Sequence, residues 1–339
     1  MFSSTIEDVL ALVVVALLYL AIVRYLDVNE REPVWSILLA FVIGGAAAGA
    51  LNLGVTSVTL NLDPWRGAAF REISIFVAVA IVFKIFDAIG RLRGWSEVTD
   101  VVDGLIYGMA VGLGFVCGEA IAQLGPASIV DVGRSGPLTT IRATALAGLA
   151  QGVFGAVIGA GFGLATSNRG WARWAWPFVG LSAAIVCHGA YQQLAFGNAL
   201  GASAVLRGRL ALAMPIVSLV ALAAYGLATE RRVIARELAD ESAAGYVTAS
   251  EIALLERPWR RHLRYARALM LLQTREFSAR PALHNRQVML ALAKLRAAGA
   301  ADDQGRRDAE VEIAALRRSI TAIRAQLDGA ASASARGTR

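Results

Sequence analysis

The sequence predicts an all-α fold: a bundle of about seven membrane-spanning helices with a helical cytoplasmic C-terminal tail. Two features of the composition and one of the patterning support this prediction. The 339 residues are 56% hydrophobic and only 17% charged, whereas soluble chains are about 45–50% apolar and about 25% charged. Apolar segments of about 20 residues, the length that crosses a hydrocarbon core, recur up to residue 228. Beyond that point, charged residues alternate with Ala and Leu at helical spacing.

Seven segments are long and apolar enough to cross a bilayer, and short polar connections separate them. They are residues 7–25, 33–53, 69–90, 101–124, 139–165, 177–198 and 206–228. We therefore expect three regions: a transmembrane helical domain over 1–228, a basic helical region over 229–327, and a disordered Ala/Ser/Arg-rich end over 328–339.

The basic residues predict the orientation in the membrane. From residue 229 onward Lys and Arg outnumber Asp and Glu by 20 to 13, whereas the preceding part has 13 of each. A basic tail is typical of the cytoplasmic side, and an odd number of spans then places the N-terminus outside. We expect a multi-pass protein of the cell membrane whose environment is the lipid bilayer, and nothing in the pattern indicates nucleic-acid binding.

The fourth segment carries glycines at four-residue spacing and ends in a carboxylate. Its run from Asp103 to Glu119 places Gly104, Gly108 and Gly112 on one helical face. Small residues at this spacing let a neighbouring helix approach closely. The fifth segment has a similar stripe from Gly148 to Gly163, so we expect these two helices to pack against each other.

Polar side chains recur in the outer half of segments three to six. They are Glu72, Glu119, Gln151, His188 and Gln192. A carboxylate at membrane depth costs several kcal/mol unless it is paired or hydrated, so Glu72 and Glu119 are functional-site candidates. The spacing of His188 and Gln192, four residues apart, puts both on one helical face.

Two carboxylates and a histidine in a protected cavity suit the activation of a water molecule. One of the glutamates can act as general base. Alternatively, Glu72, Glu119 and His188 could together hold a divalent metal such as zinc, which lowers the pKa of its bound water. The structural alternative is that His188 is a buried histidine satisfied by a backbone or glutamine partner.

The run from Asp103 to Glu119 resembles the signature span of the PrsW intramembrane proteases, which are related to the CAAX-processing proteases. The pattern of that family is Glu-Glu-x-x-Lys, Phe-x-x-x-Glu, His and His-x-x-x-Asn/Asp on successive spans. In this chain Phe115 and Glu119 match the second motif and His188 matches the fourth. The resemblance covers most of residues 30–230.

Four positions depart from the family pattern: Arg71, Ile75, Gln151 and Gln192 stand where it has Glu, Lys, His and Asn or Asp. Glutamine cannot titrate and is a poor metal ligand. Arg71 is expected to stabilise the charge of its neighbour Glu72 and weaken it as a base.

The resemblance implies a peptidase that cuts a membrane-anchored protein, with Glu72, Glu119 and His188 as catalytic residues. Phe115, Gln151 and Gln192 then line the site. The departures favour an alternative, a catalytically inactive member of the same fold that binds a partner's transmembrane helix. A small transporter is a third class, but the sequence has no broken helices or inverted repeat to indicate one.

Overall fold

The computed structural model describes residues 2–26, 32–59, 64–93, 101–122, 137–168, 170–196, 204–256, 274–299 and 303–337. Every regular element within these ranges is an α-helix, which confirms the predicted all-α class. The helices described are α1 (Phe2–Leu26), α2 (Val34–Thr59), α3 (Pro64–Arg93), α4 (Val101–Ala122), α5 (Pro137–Ser167), α6 (Ala172–Phe196), α7 (Ala204–Ala243), α8 (Ala249–Leu255), α9 (Thr274–Gly299) and α10 (Asp303–Gly337).

Four of these helices contain a stretch that is long and apolar enough to cross a membrane. The stretches are Val34–Leu51 in α2, Trp65–Gly90 in α3, Val101–Ala122 in α4 and Gly148–Thr166 in α5. Helix α1 has a shorter apolar stretch, Leu12–Ala21, and α6 and α7 cover the last two predicted segments. The helical bundle is thus confirmed, while the number of seven spans stays a prediction.

The chain divides into two compact units, one that ends at Gly226 and one that begins at Leu227. Helix α4 is the central helix of the first unit. From Val101 to Phe115 all its residues except Val102 are buried. A helix that is buried on every side must be surrounded by other helices, and α4 packs against α2 and α5.

Glycines allow the backbone of α4 to touch both neighbours. A Cβ atom added at Gly108 would lie 2.2 Å from the carbonyl oxygen of Gly155 in α5, and one at Gly155 would lie 2.3 Å from that of Gly108. On another face, a Cβ at Gly114 would lie only 1.9 Å from the carbonyl oxygen of Phe41 in α2. The close approach expected between the fourth and fifth segments is confirmed, and α2 is a second partner of the same kind.

A buried polar cluster links the first half of α4 to residues at the start of α2. The Tyr107 hydroxyl donates to the carboxylate of Glu32 and lies 3.1 Å from the hydroxyl of Ser36. All three side chains are buried. The Nε of Arg24 donates to the backbone oxygen of Glu32 at 2.8 Å, so the cluster also connects α1.

The second unit contains the last part of α7 together with α8, α9 and α10. Its core is apolar, with Ile234, Leu238, Leu255, Leu290 and Ile320 almost fully buried. Helix α8 begins with a capping box, in which Thr248 and Glu251 each satisfy the other's backbone N–H. Helix α10 continues to Gly337 through most of the segment 328–339; the disorder predicted for that segment in solution stays a prediction.

An ion-pair network links three helices of the second unit. Glu241 at the end of α7 is 1% exposed and accepts two hydrogen bonds from Arg317 of α10, at 2.6 and 3.0 Å. The Nζ of Lys294 in α9 lies 3.2 Å from the same carboxylate. Burial alone would raise the pKa of Glu241, but the hydrogen bonds and charges of Arg317 and Lys294 hold that pKa below its usual value.

Candidate functional site

The candidate site is built around Glu72, which lies on α3 seven residues into the span that begins at Trp65. At a rise of about 1.5 Å per residue this is about 10 Å along the helix. The side chain of Glu72 is fully buried. Isolating a carboxylate in this way is costly unless hydrogen-bond donors stabilise it, and helices α5 and α6 supply such donors.

Two side chains converge on the Oε1 atom of Glu72. The amide Nε2 of Gln151 in α5 donates to it at 2.9 Å. The Nδ1 of His188 in α6 lies 2.6 Å from the same oxygen. Gln151 and His188 are themselves only 7% and 3% exposed. Glu72, Gln151 and His188, which the sequence predicts as members of one site, thus lie together in the structure.

The contacts of His188 fit an ionised Glu72 and a neutral imidazole. An ionised carboxylate can only accept, and in this arrangement Nδ1 of His188 carries the proton that faces Glu72. Its Nε2 lies 3.0 Å from the Nε2 of Gln192, one turn further along α6. In the neutral imidazole that nitrogen is an acceptor, so the Gln192 amide donates to it and both ring nitrogens are engaged.

The second oxygen of Glu72 is in a different situation. Oε2 is buried and has no hydrogen-bond partner among the residues described. A buried acceptor without a partner costs about 1–3 kcal/mol. Glu72 thus has one oxygen that is held by two partners and one buried oxygen that accepts no hydrogen bond from the described residues.

Two aromatic side chains that were not predicted as site residues, Phe154 and Tyr191, lie beside the histidine. The ring of Phe154 in α5 stacks on His188 with a centroid distance of 4.8 Å and an interplanar angle of 17°. Tyr191 meets the same phenylalanine ring edge-on at 5.9 Å. Phe154 lies three residues after Gln151 and hence on its helical face, which is the signal that could have indicated it.

Arg71 makes its ion pair with Glu119, not with Glu72 as the sequence suggested. Its Nε lies 3.0 Å from the Oε1 of Glu119. Successive residues of an α-helix point about 100° apart, so Arg71 faces α4 while Glu72 faces α5 and α6. Phe115, one turn before Glu119, is fully buried in the hydrophobic core.

The first turn of α3 covers the neighbourhood of the histidine. A Cβ added at Gly189 of α6 would lie 2.2 Å from the indole ring of Trp65. Only a glycine at this position lets the ring lie directly on the α6 backbone, one residue after His188. Trp65 itself is 44% exposed, so this contact is at the surface of the first unit.

Fold and site together define a polytopic α-helical membrane protein with a carboxylate–imidazole pair enclosed by its own helices. Residues 32–224, more than half of the chain, match the family described as PrsW family intramembrane metalloprotease. The chain belongs to this family of membrane-embedded proteases. No curated protein and no solved structure is significantly similar to the chain.

A metal is implied by the family, but the donor atoms of this site fit one poorly. Catalytic zinc sites use three ligands drawn from His, Asp, Glu and Cys. Among the described residues no three such side chains are grouped to hold a metal ion. Glu72 and His188 are two donors, Gln151 stands beside them as an amide, and Glu119 is paired with Arg71.

Proposed function

We propose that the protein is an intramembrane peptidase that cleaves a membrane-anchored protein, with Glu72 as the base that activates water. The observation that carries the proposal is the buried carboxylate of Glu72, with Oε1 held by two partners and Oε2 open. A general base needs an acceptor atom within hydrogen-bond reach of the proton that it removes. Oε2 is such an acceptor atom, and it lies within the part of the chain that matches a protease family.

In the proposed reaction a water molecule donates a hydrogen bond to Oε2 of Glu72. Glu72 takes the proton as the water oxygen bonds to the carbonyl carbon of the scissile peptide bond. The C–N bond then breaks, and the proton held by Glu72 passes to the leaving nitrogen. The products are a carboxylic acid and an amine, and Glu72 is regenerated.

The neighbours of Glu72 have positioning roles in this scheme. Gln151 and His188 hold Oε1 and thereby aim Oε2 at the water. Gln192 keeps the proton of the imidazole on Nδ1, facing the carboxylate, because it donates to Nε2. Glu119 has an indirect role, because it pairs with Arg71, the residue that precedes Glu72 in α3.

Cleavage of a single-span substrate in liposomes tests the proposal. Wild-type protein should release the product, whereas Glu72→Gln should reduce the rate by about 10²-fold or more, the usual contribution of a general base. Asp87→Asn is the matched control, because it removes a carboxylate from the exposed part of α3 and should cleave as wild type does. Equal rates for wild type and Glu72→Gln would refute the role of Glu72.

One observation favours a second candidate, an inactive member of the fold that binds a partner's transmembrane helix. Both nitrogens of His188 are satisfied, and two of the four residues in the hydrogen-bonded cluster are amides, which cannot exchange protons. This function would appear as photo-crosslinking of a partner helix to the bundle with no cleavage by wild type. Retained crosslinking in Glu72→Gln would then assign the pair a structural role.

We also propose that the chain lies in the cell membrane with its N-terminus outside and its C-terminus in the cytoplasm. The support is the basic excess beyond residue 229. Single cysteines placed at Ser4 and at Ser332, in a background without Cys117 and Cys187, test it. A membrane-impermeant maleimide applied to intact cells should label the first cysteine and not the second.

A further inference from the structure

We infer that the Glu72 site is a metal-free centre, and that Gln151 is the residue that makes it so. The inference rests on the proposed function only for the choice of site, because it concerns what the site binds and not whether it cleaves. It departs from what the family description implies about a metal. Three observations of the site carry it.

The first observation is the spacing of the donor atoms. Two ligands that are each about 2.0–2.1 Å from a tetrahedral zinc ion lie about 3.3 Å from each other. The Nδ1 of His188 lies 2.6 Å from Oε1 of Glu72, and the Nε2 of Gln151 lies 2.9 Å from it. These are hydrogen-bond distances, so the side chains bond to one another and leave no room for an ion between them.

The second observation is that the useful lone pairs are occupied. Oε1 of Glu72 accepts from two donors, and Nε2 of His188 accepts from Gln192. Oε2 of Glu72 is buried and accepts no hydrogen bond from the described residues. One carboxylate oxygen is too few, since even a catalytic zinc site with an open position uses three protein ligands.

The third observation concerns charge. Arg71 precedes Glu72 in α3, and its guanidinium pairs with Glu119 at 3.0 Å. The Glu119 carboxylate, which would otherwise be a third anionic donor, is thereby neutralised. A dication that enters the site would meet the negative charge of one carboxylate, Glu72, instead of two.

Gln151 is the decisive position because its side chain reaches the shared oxygen. With histidine at 151, the amide donor that occupies Oε1 is removed and an imidazole nitrogen replaces it. The site then offers two imidazoles and one carboxylate, a known catalytic zinc set.

The experiment measures metal binding by the full-length protein, purified in detergent without a polyhistidine tag. Wild type, Gln151→His and Gln151→Glu are stripped with a chelator, incubated with Co²⁺ or Zn²⁺ and freed of excess metal. Visible absorption of Co²⁺ and elemental analysis of Zn²⁺ give the stoichiometry. Gln151→His combined with His188→Gln is the control for the site, and Gln151→Asn is the control for substitution at this position.

Wild type and Gln151→Asn should retain no stoichiometric metal, whereas Gln151→His should retain one ion per chain and lose it when His188 is also replaced. Gln151→Glu is a second way to supply the third ligand if the histidine variant does not fold. A wild-type chain that retains one ion, and loses it in Glu72→Gln or His188→Gln, would overturn the inference. Failure of both folded Gln151 variants to bind metal would overturn the role of Gln151.

These results are independent of the proposed peptidase activity. Metal content is measured without substrate, so an inactive wild type that binds no metal refutes the proposed function and leaves the inference intact. Conversely, a wild type that cleaves and retains a site-bound ion refutes the inference alone.

Discussion

Replacing Gly112 by alanine should disturb the site through the backbone of α5. A Cβ atom at residue 112 would lie 2.4 Å from the carbonyl oxygen of Gln151, whereas ordinary van der Waals contact begins at about 3.4 Å. The two helices must therefore separate by about 1 Å at this point. Backbone atoms cannot rotate away as a flexible side chain can, so the displacement is carried to Gln151 itself.

The size of the effect follows from two opposing contributions. Overpacking of a close contact costs about 1–3 kcal/mol, and alanine returns up to about 1 kcal/mol through its higher helix propensity. We expect a net loss of about 1–2 kcal/mol in the free energy of unfolding. A shift of 1 Å also lengthens the 2.9 Å contact between Gln151 and Glu72, and misplacement of this size can lower a reaction rate about 10²-fold.

The assay compares Gly112→Ala with Gly67→Ala. A Cβ at Gly67 on α3 meets no atom within 4 Å, so this control receives the propensity gain without the clash. Unfolding in mixed detergent and SDS, followed by circular dichroism, should show a lower midpoint for Gly112→Ala and an unchanged or higher one for Gly67→Ala. Equal midpoints for the two variants would refute the close packing of α4 and α5.

Three further changes test other parts of the structure. Glu241→Gln should destabilise the second unit by about 2 kcal/mol at neutral pH, seen as faster hydrogen exchange in α9 and α10. Because the pKa of Glu241 is lowered in the folded state, its charge stabilises the fold above the ordinary carboxyl pKa of 4.5, and this stabilisation is lost as the pH falls below that value. The difference between the variant and wild type should therefore vanish in acid. An effect that persists in acid would contradict the pairing with Arg317. Tyr107→Phe should lower the free energy of unfolding by about 2 kcal/mol, because the buried carboxylate of Glu32 loses a donor. The SDS unfolding midpoint should fall accordingly, and an unchanged midpoint would refute this. Trp65→Ala should speed carbodiimide modification of Glu72, measured by mass spectrometry, if the indole shields the site; unchanged labelling would exclude this.

The fold was predictable because its main packing signal is local in sequence. The recurrence of Gly104, Gly108 and Gly112 indicates a close-packed face before any neighbour is known, and the stripe on α5 identifies its partner. The packing of α2 against α4 was not predictable in the same way. The contact of Gly114 with Phe41 uses a second face, and one sequence does not tell which helix lies against it.

The central contact of the site was predictable from depth. Once the helices alternate in direction, Glu72, Gln151 and His188 are all predicted in the outer half of the membrane, and the structure joins them. The partner of Arg71 was not predictable from depth alone. It depends on the rotation of α3 about its axis, which the packing of the whole bundle determines.

The second unit was the least predictable part. Alternating charges indicate helices, and α8, α9 and α10 are helical. However, α7 continues to Ala243, well past the predicted end of the last span at residue 228. The sequence also does not indicate that Glu241 pairs with Arg317, more than 70 residues away along the chain, because such a long-range pair leaves no local pattern.

The two glycine faces of α4 have a consequence for how related chains are recognised. Most glycines between residues 104 and 118 contact the backbone of α2 or α5. A glycine has no side chain that could take part in a reaction. The glycines of this run therefore indicate how the helices pack, and they do not indicate whether the protein is catalytically active. A relative that lost Glu72 and His188 would keep the same run for packing reasons, so membership of the family and enzymatic competence are separate traits, carried by different helices.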